Sequence, residues 1–151
     1  MEIIICYIVA YLAEALIIKQ YCSTLFVSKF SNQLELPIIF IFYGILLIIS
    51  FMQNPLWNTA SFFIVNFVLM LFIYNIRWTT ALFHSIIITI IMGLTELILV
   101  SIISNLATTF YGPDVYLKNA IFLMLTSKPF FFFMLYGISH TLVKTHNISE
   151  R

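Results

Sequence analysis

Five long apolar runs, separated by short polar or turn-forming stretches, make up most of this 151-residue chain. The first spans residues 3–26, apolar as far as Ile18 and mixed beyond it. The second covers 36–52, bounded by Pro37 and by the turn signal Gln53-Asn54-Pro55. The third covers 56–76, the fourth 78–105, and the fifth 119–143, after Tyr111-Gly112-Pro113-Asp114. None alternates with a period of two, and each exceeds the roughly 10 residues of a membrane barrel strand, so the pattern predicts helices. The links are short, which makes successive helices antiparallel neighbours. The expected fold class is all-α, a polytopic transmembrane bundle of about five helices in one domain, 1–151. The stretch from Lys19 to Glu35 fits two descriptions. Its alternation of Tyr21, Leu25, Phe26 and Phe30 with Ser23, Ser28, Lys29 and Asn32 suits an interfacial amphipathic piece, or equally a continuation of the first helix.

Composition sharpens this into a membrane protein. The chain is 62% hydrophobic, 17% aromatic and 9% charged, with a mean hydropathy of +1.07. Soluble domains carry about 25% charge, and a chain so poor in it could not cover a surface facing water. The bilayer is therefore the first partner. Lys and Arg are scattered rather than clustered, so nucleic acid is not expected as another. Their distribution sets the orientation. With the N-terminus outside, Lys19, Lys29, Arg77, Lys144 and Arg151 fall on the cytoplasmic side, and Lys118 in an external loop. The expected topology is N-out, C-in, with Trp57 and Trp78 at segment ends as interface anchors. Glu2 stands where a secretory signal would carry a basic residue, so the first run is read as a retained helix. Cys6 and Cys22 have neither CxxC spacing nor a nearby His, and read as small buried hydrophobes.

The fourth run carries the densest polar content. About 28 residues at a ~1.5 Å rise make a rod of roughly 42 Å, longer than a ~30 Å hydrocarbon core. His84, Ser85, Thr89, Gly93, Thr95 and Glu96 lie within it. At 100° per residue, Ser85, Thr89, Gly93 and Glu96 fall in a sector of about 80° and form one stripe. A carboxylate at membrane depth needs protein, water or a partner beside it, so the stripe is expected to face the bundle interior.

Glu14 and Glu96 are the two acids expected within the membrane. Each reads either as a ligand, ion or proton site or as a hydrogen-bonding tie to a facing helix. Lys128, in the fifth run, could pair with either acid or snorkel outward, and Pro129 after it predicts a local bend. Asn58, Asn66 and Asn75 punctuate the third run, where amides bridge neighbouring helices. His84 lacks convergent His or Cys partners for a metal, since His140 and His146 lie near the C-terminus. HExxH, GxSxG, a Walker A loop and a paired acid dyad are all missing, so no catalytic constellation is read here, and no cofactor is implied. The loop from Leu106 to Lys118 carries three aromatics and suits peptide capture or an interfacial belt. Pro129-Phe130-Phe131-Phe132-Phe133 reads as a packing or lipid-facing surface.

One combination resembles a known family. A Glu-bearing first helix is followed by Asn54-Pro55-Leu56-Trp57-Asn58 opening the third, and by Tyr74-Asn75-Ile76-Arg77-Trp78. The fourth carries Phe83-His84-Ser85 early and Gly93-Leu94-Thr95-Glu96 later. Together these resemble the membrane sensor region of AgrC-like quorum-sensing peptide-receptor histidine kinases, which carry a GHKL-type ATPase domain. The resemblance spans Ile3 to about Lys144. It implies a homodimer, an extracellular peptide ligand, and six or seven helices ahead of a phosphoacceptor His and the kinase. With the chain stopping at Arg151, the expectation is a fragment lacking the last helices and kinase, or a stand-alone relative. No catalytic residue carries over. Glu96, Ser85, Thr89, His84, Glu14, Lys128 and Asn66 are the candidates for ligand contact or signal relay. The competing readings are a small transporter subunit of the substrate-binding type and a membrane scaffold.

Overall fold

The structure, a computed structural model, describes the backbone of residues 2–52, 54–110 and 116–149, and the side chains of 4–52, 54–102, 105 and 125–144. Five α-helices follow the apolar runs: α1 Glu2–Leu25, α2 Asn32–Ser50, α3 Pro55–Ile73, α4 Trp78–Phe110 and α5 Tyr116–Ser149. By length and apolarity, α1 to α4 can each cross a bilayer. Each helix packs on the next and α5 returns to α1, which closes the five into a ring. Ile18 and Cys22 of α1, Ile39 of α2, Leu69 of α3, Ile88 of α4 and Phe131 of α5 fill it. Large apolar side chains such as Ile41, Ile64, Leu97 and Phe133 point outward. An apolar exterior around an equally apolar core is what a lipid-bathed bundle requires.

Several boundaries differ from the sequence expectation, each for a local reason. α1 stops at Leu25, and 26–31 form an irregular connection rather than an interfacial helix. α2 starts four residues before the expected Leu36. Its first turn forms on Ser31, whose carbonyl accepts from the Leu34 and Glu35 amides at 2.9 and 3.1 Å, and Pro37 is carried inside the helix. α3 ends at Ile73 because Tyr74 turns extended. The connection after it then pairs with 26–31: the Lys29 amide donates to Ile73 O at 2.7 Å and the Asn75 amide to Val27 O at 3.0 Å. Lys29 Nζ also donates to Leu71 O at 2.8 Å, so one lysine serves two of the carbonyls a helix C-terminus leaves without partners. At the other end of α3, Asn54 caps the helix. Its Oδ1 accepts from the Leu56 and Trp57 amides at 3.1 and 3.4 Å, with Pro55 in the first turn.

α4 and α5 are longer than expected. Residues 106–110 and 116–118, read from sequence as part of a loop, are helical. Residues 111–115 and the side chains of 106–124, including Lys118 and the loop aromatics, lie outside the described residues, as does the His146 side chain. Both tryptophans are exposed: Trp57 opens α3 at one end of the bundle and Trp78 opens α4 at the other. The end that holds the 26–31 and 74–77 connections also carries Lys29 and Arg77, and is called the basic end below.

Candidate functional site

Among the described residues, two groups of buried polar side chains lie at different depths of the bundle. The deeper group joins three helices. Glu14 sits midway along α1, and its Oε1 accepts from Lys128 Nζ of α5. The same ammonium lies 3.6 Å from Glu96 Oε1 on α4. Glu14 and Lys128 are buried, whereas the Glu96 side chain remains 47% exposed. Two carboxylates therefore share one ammonium, and Glu14 Oε2, also buried, has no hydrogen-bond partner. An isolated charge at this depth would be prohibitive, and pairing is what makes the cluster tolerable. Tyr11, one turn before Glu14, directs its hydroxyl to Ser50 at the end of α2. α5 runs on through Pro129.

Tyr43 and Asn66 form a tie beside this cluster. Tyr43 donates to Asn66 Oδ1 at 3.0 Å, and Asn66 Nδ2 donates to Phe62 O at 2.8 Å. Both ends of the amide are used, so Asn66 clamps α2 to α3 and has little left for a ligand. Asn58 is half-buried, with Oδ1 unpartnered, and Asn75 is exposed and bridges helices through its backbone alone.

The second group lies toward the basic end. His84 Nδ1 pairs with the Tyr21 hydroxyl at 2.7 Å, a direct link from α4 to α1. Phe26 and Phe83 meet the imidazole edge-on, with centroids at 4.9 and 5.5 Å. Nearby, Tyr74 donates to the Glu35 carboxylate. Burial above all, then the neighbouring Cys22 and Glu35, pushes the Tyr74 phenol well above its usual range, which keeps it a donor. Glu35 is almost fully buried. The sequence pattern assigns it to the 19–35 stretch, an interfacial piece or a continuation of the first helix, and so gives it no site role. The available signal was its position in the first turn of a helix, where the macrodipole favours an acid.

The expected polar stripe of α4 is only partly correct. Ser85 is buried and Thr89 half-buried, but Glu96 leans toward Lys128 and stays half open. Thr95, off the stripe, is buried instead. The hydroxyls turn back onto their own helix: Ser85 to Ala81 O at 2.8 Å, Thr89 to Ser85 O at 2.8 Å, Thr95 to Ile91 O at 2.7 Å. Such i−4 bonds satisfy a hydroxyl without engaging a neighbouring helix. Across to α3, Ser85 meets Met70 Sδ at 3.8 Å, and a Cβ at Gly93 would touch nothing. Within the stripe, only Ser85, through Met70, and Glu96, through Lys128, reach another helix. Of the seven candidates, the structure unites Glu14, Lys128 and Glu96; it leaves His84, Ser85 and Thr89 nearer the basic end and Asn66 in the α2–α3 tie.

Comparison with protein-family models, with curated proteins and with solved structures gives no match for this chain.

Proposed function

We propose that this chain is the membrane-embedded sensor of an AgrC-like histidine kinase, lying N-out and C-in in the plasma membrane. It would receive an extracellular peptide and pass the signal to a cytoplasmic kinase through α5. The observation that carries the reading is Lys128 standing between two acids on different helices, bonded to Glu14 of α1 and 3.6 Å from Glu96 of α4. One ammonium with two carboxylate acceptors has two discrete positions, each tying α5 to a different neighbour. A ligand shifts such an equilibrium only by binding one arrangement better than the other. Ligand contact at the outer helix ends would bias the choice, and α5 would carry it to the basic end. The Lys29 and Arg77 connections at that end support the orientation.

The first test is the gene beyond the Arg151 codon. An open frame leading into further helices, a His-bearing coiled coil and a GHKL ATP site is the expected result. A stop codon there would transfer the reading to a transporter or scaffold subunit. In the receptor, Glu96→Gln should shift basal phosphorylation several-fold or blunt the peptide response. Unchanged basal and stimulated output would leave the cluster a purely structural tie.

A further inference from the structure

We propose that the Glu14–Lys128–Glu96 cluster is a proton-binding site, in which Glu14 Oε2 takes up one proton and thereby releases the Lys128 ammonium from α1 toward α4. This rests on the two-position reading of Lys128 given above, but not on any kinase lying beyond α5.

Three observations carry it. Glu14 is only 4% exposed, and while Oε1 accepts from Lys128, Oε2 is buried without a donor. A charged oxygen deprived of both water and a hydrogen bond is the least stable atom in the group, and an O–H bond formed there cancels its charge. The charge count points the same way. With all three groups ionised the cluster is net negative, and one added proton makes it neutral, the state a hydrocarbon surrounding favours. The third observation is Glu96, whose half-exposed carboxylate lies 3.6 Å from the same ammonium and so offers Lys128 a second acceptor on α4.

The surrounding groups leave the role to Glu14. From α2, Tyr43 faces Glu14, but its hydroxyl donates to Asn66. On α1 itself, the Tyr11 hydroxyl is turned to Ser50. From α5 and α4 come Lys128 and Glu96. A hard metal cation at Oε2 would need several further oxygen ligands around it, whereas a proton needs only the one lone pair. In the step itself, hydronium gives its proton to Oε2, an O–H bond forms and water departs; nothing is oxidised or reduced. The ammonium keeps its protons. With Glu14 neutral, Glu96 becomes the stronger partner of the Lys128 ammonium.

The wild-type protein in lipid nanodiscs provides the test, so that no variant has to fold. Dicyclohexylcarbodiimide modifies protonated carboxyls within membranes, and peptide mass spectrometry locates the adduct. The expected result is an adduct on Glu14 whose rate of formation falls several-fold as the pH of the medium is raised. Labelling of Glu96 alone, or a Glu14 rate independent of pH, would overturn the proposal. Infrared difference spectra supply a second measure: a protonated-carboxyl band that titrates in the wild type and in Glu96→Gln, and is lost in Glu14→Gln. A band lost in Glu96→Gln and kept in Glu14→Gln would equally overturn it. A titrating Glu14 in a protein with no kinase downstream sustains the proton site while removing the receptor reading.

Discussion

Replacing Lys128 with methionine keeps most of the side chain's bulk and removes its ammonium, leaving Glu14 and Glu96 without a counterion. Breaking a buried pair from one side costs about 3–5 kcal/mol, and Lys128→Met should lower the thermal midpoint in detergent accordingly. The double variant Glu14→Leu, Lys128→Leu should recover most of that loss, because an apolar pair carries no desolvation penalty. Failure of the double variant to recover would mean that the cluster contributes through shape rather than charge. Tyr74→Phe removes the donor to buried Glu35 and should cost about 1–3 kcal/mol by the same measurement. Since the Tyr74 phenol is held above its unfolded value, its contribution is complete below about pH 10 and declines as pH rises further. Tyr74→Phe should flatten the alkaline limb of the stability profile. At this scale the sequence was informative about which residues matter and weak about their partners. Glu14 and Lys128 stand out because charge is rare in apolar runs, but they are 114 residues apart, and only the closing of the ring shows that they meet. Ser85 and Thr89 misled for a physical reason. Helical spacing places hydroxyls on one face, yet a hydroxyl satisfied by its own helix needs no neighbour.

Turn chemistry determined the helix ends more closely than apolarity did. Asn54-Pro55 gave the start of α3 to within one residue because cap and proline act locally. Asn54→Ala should cost about 1 kcal/mol, read as a lower thermal midpoint with an unchanged helical circular dichroism signal. Pro37 misled, since a proline is best tolerated in the first turn and so suggested a start at Leu36. The Ser31 carbonyl and the buried Glu35–Tyr74 contact draw the helix out by one more turn. The end of α3 was illegible because it depends on a strand-like pairing with residues 26–31, remote in sequence. Apolar content runs on through Ile76, but the backbone has already found other partners.

For the whole molecule, the apolar runs dictate a helical bundle and leave its closure open. A ring in which α5 packs on α1 brings Ile17 and Leu135 to one seam. In a chain carrying Cys6→Ala and Cys22→Ala, the pair Ile17→Cys and Leu135→Cys should cross-link within one molecule, at a yield independent of protein concentration. An open row of helices would give no such product. The closure also orders events during synthesis. α1 and α4 reach the membrane before α5, so for that interval Glu14 and Glu96 are acids in lipid without the lysine that later balances them. α5 thus brings both a wall of the ring and the balancing charge. A polypeptide stalled or cut before Lys128 leaves both acids unbalanced, a defect of electrostatics rather than of shape.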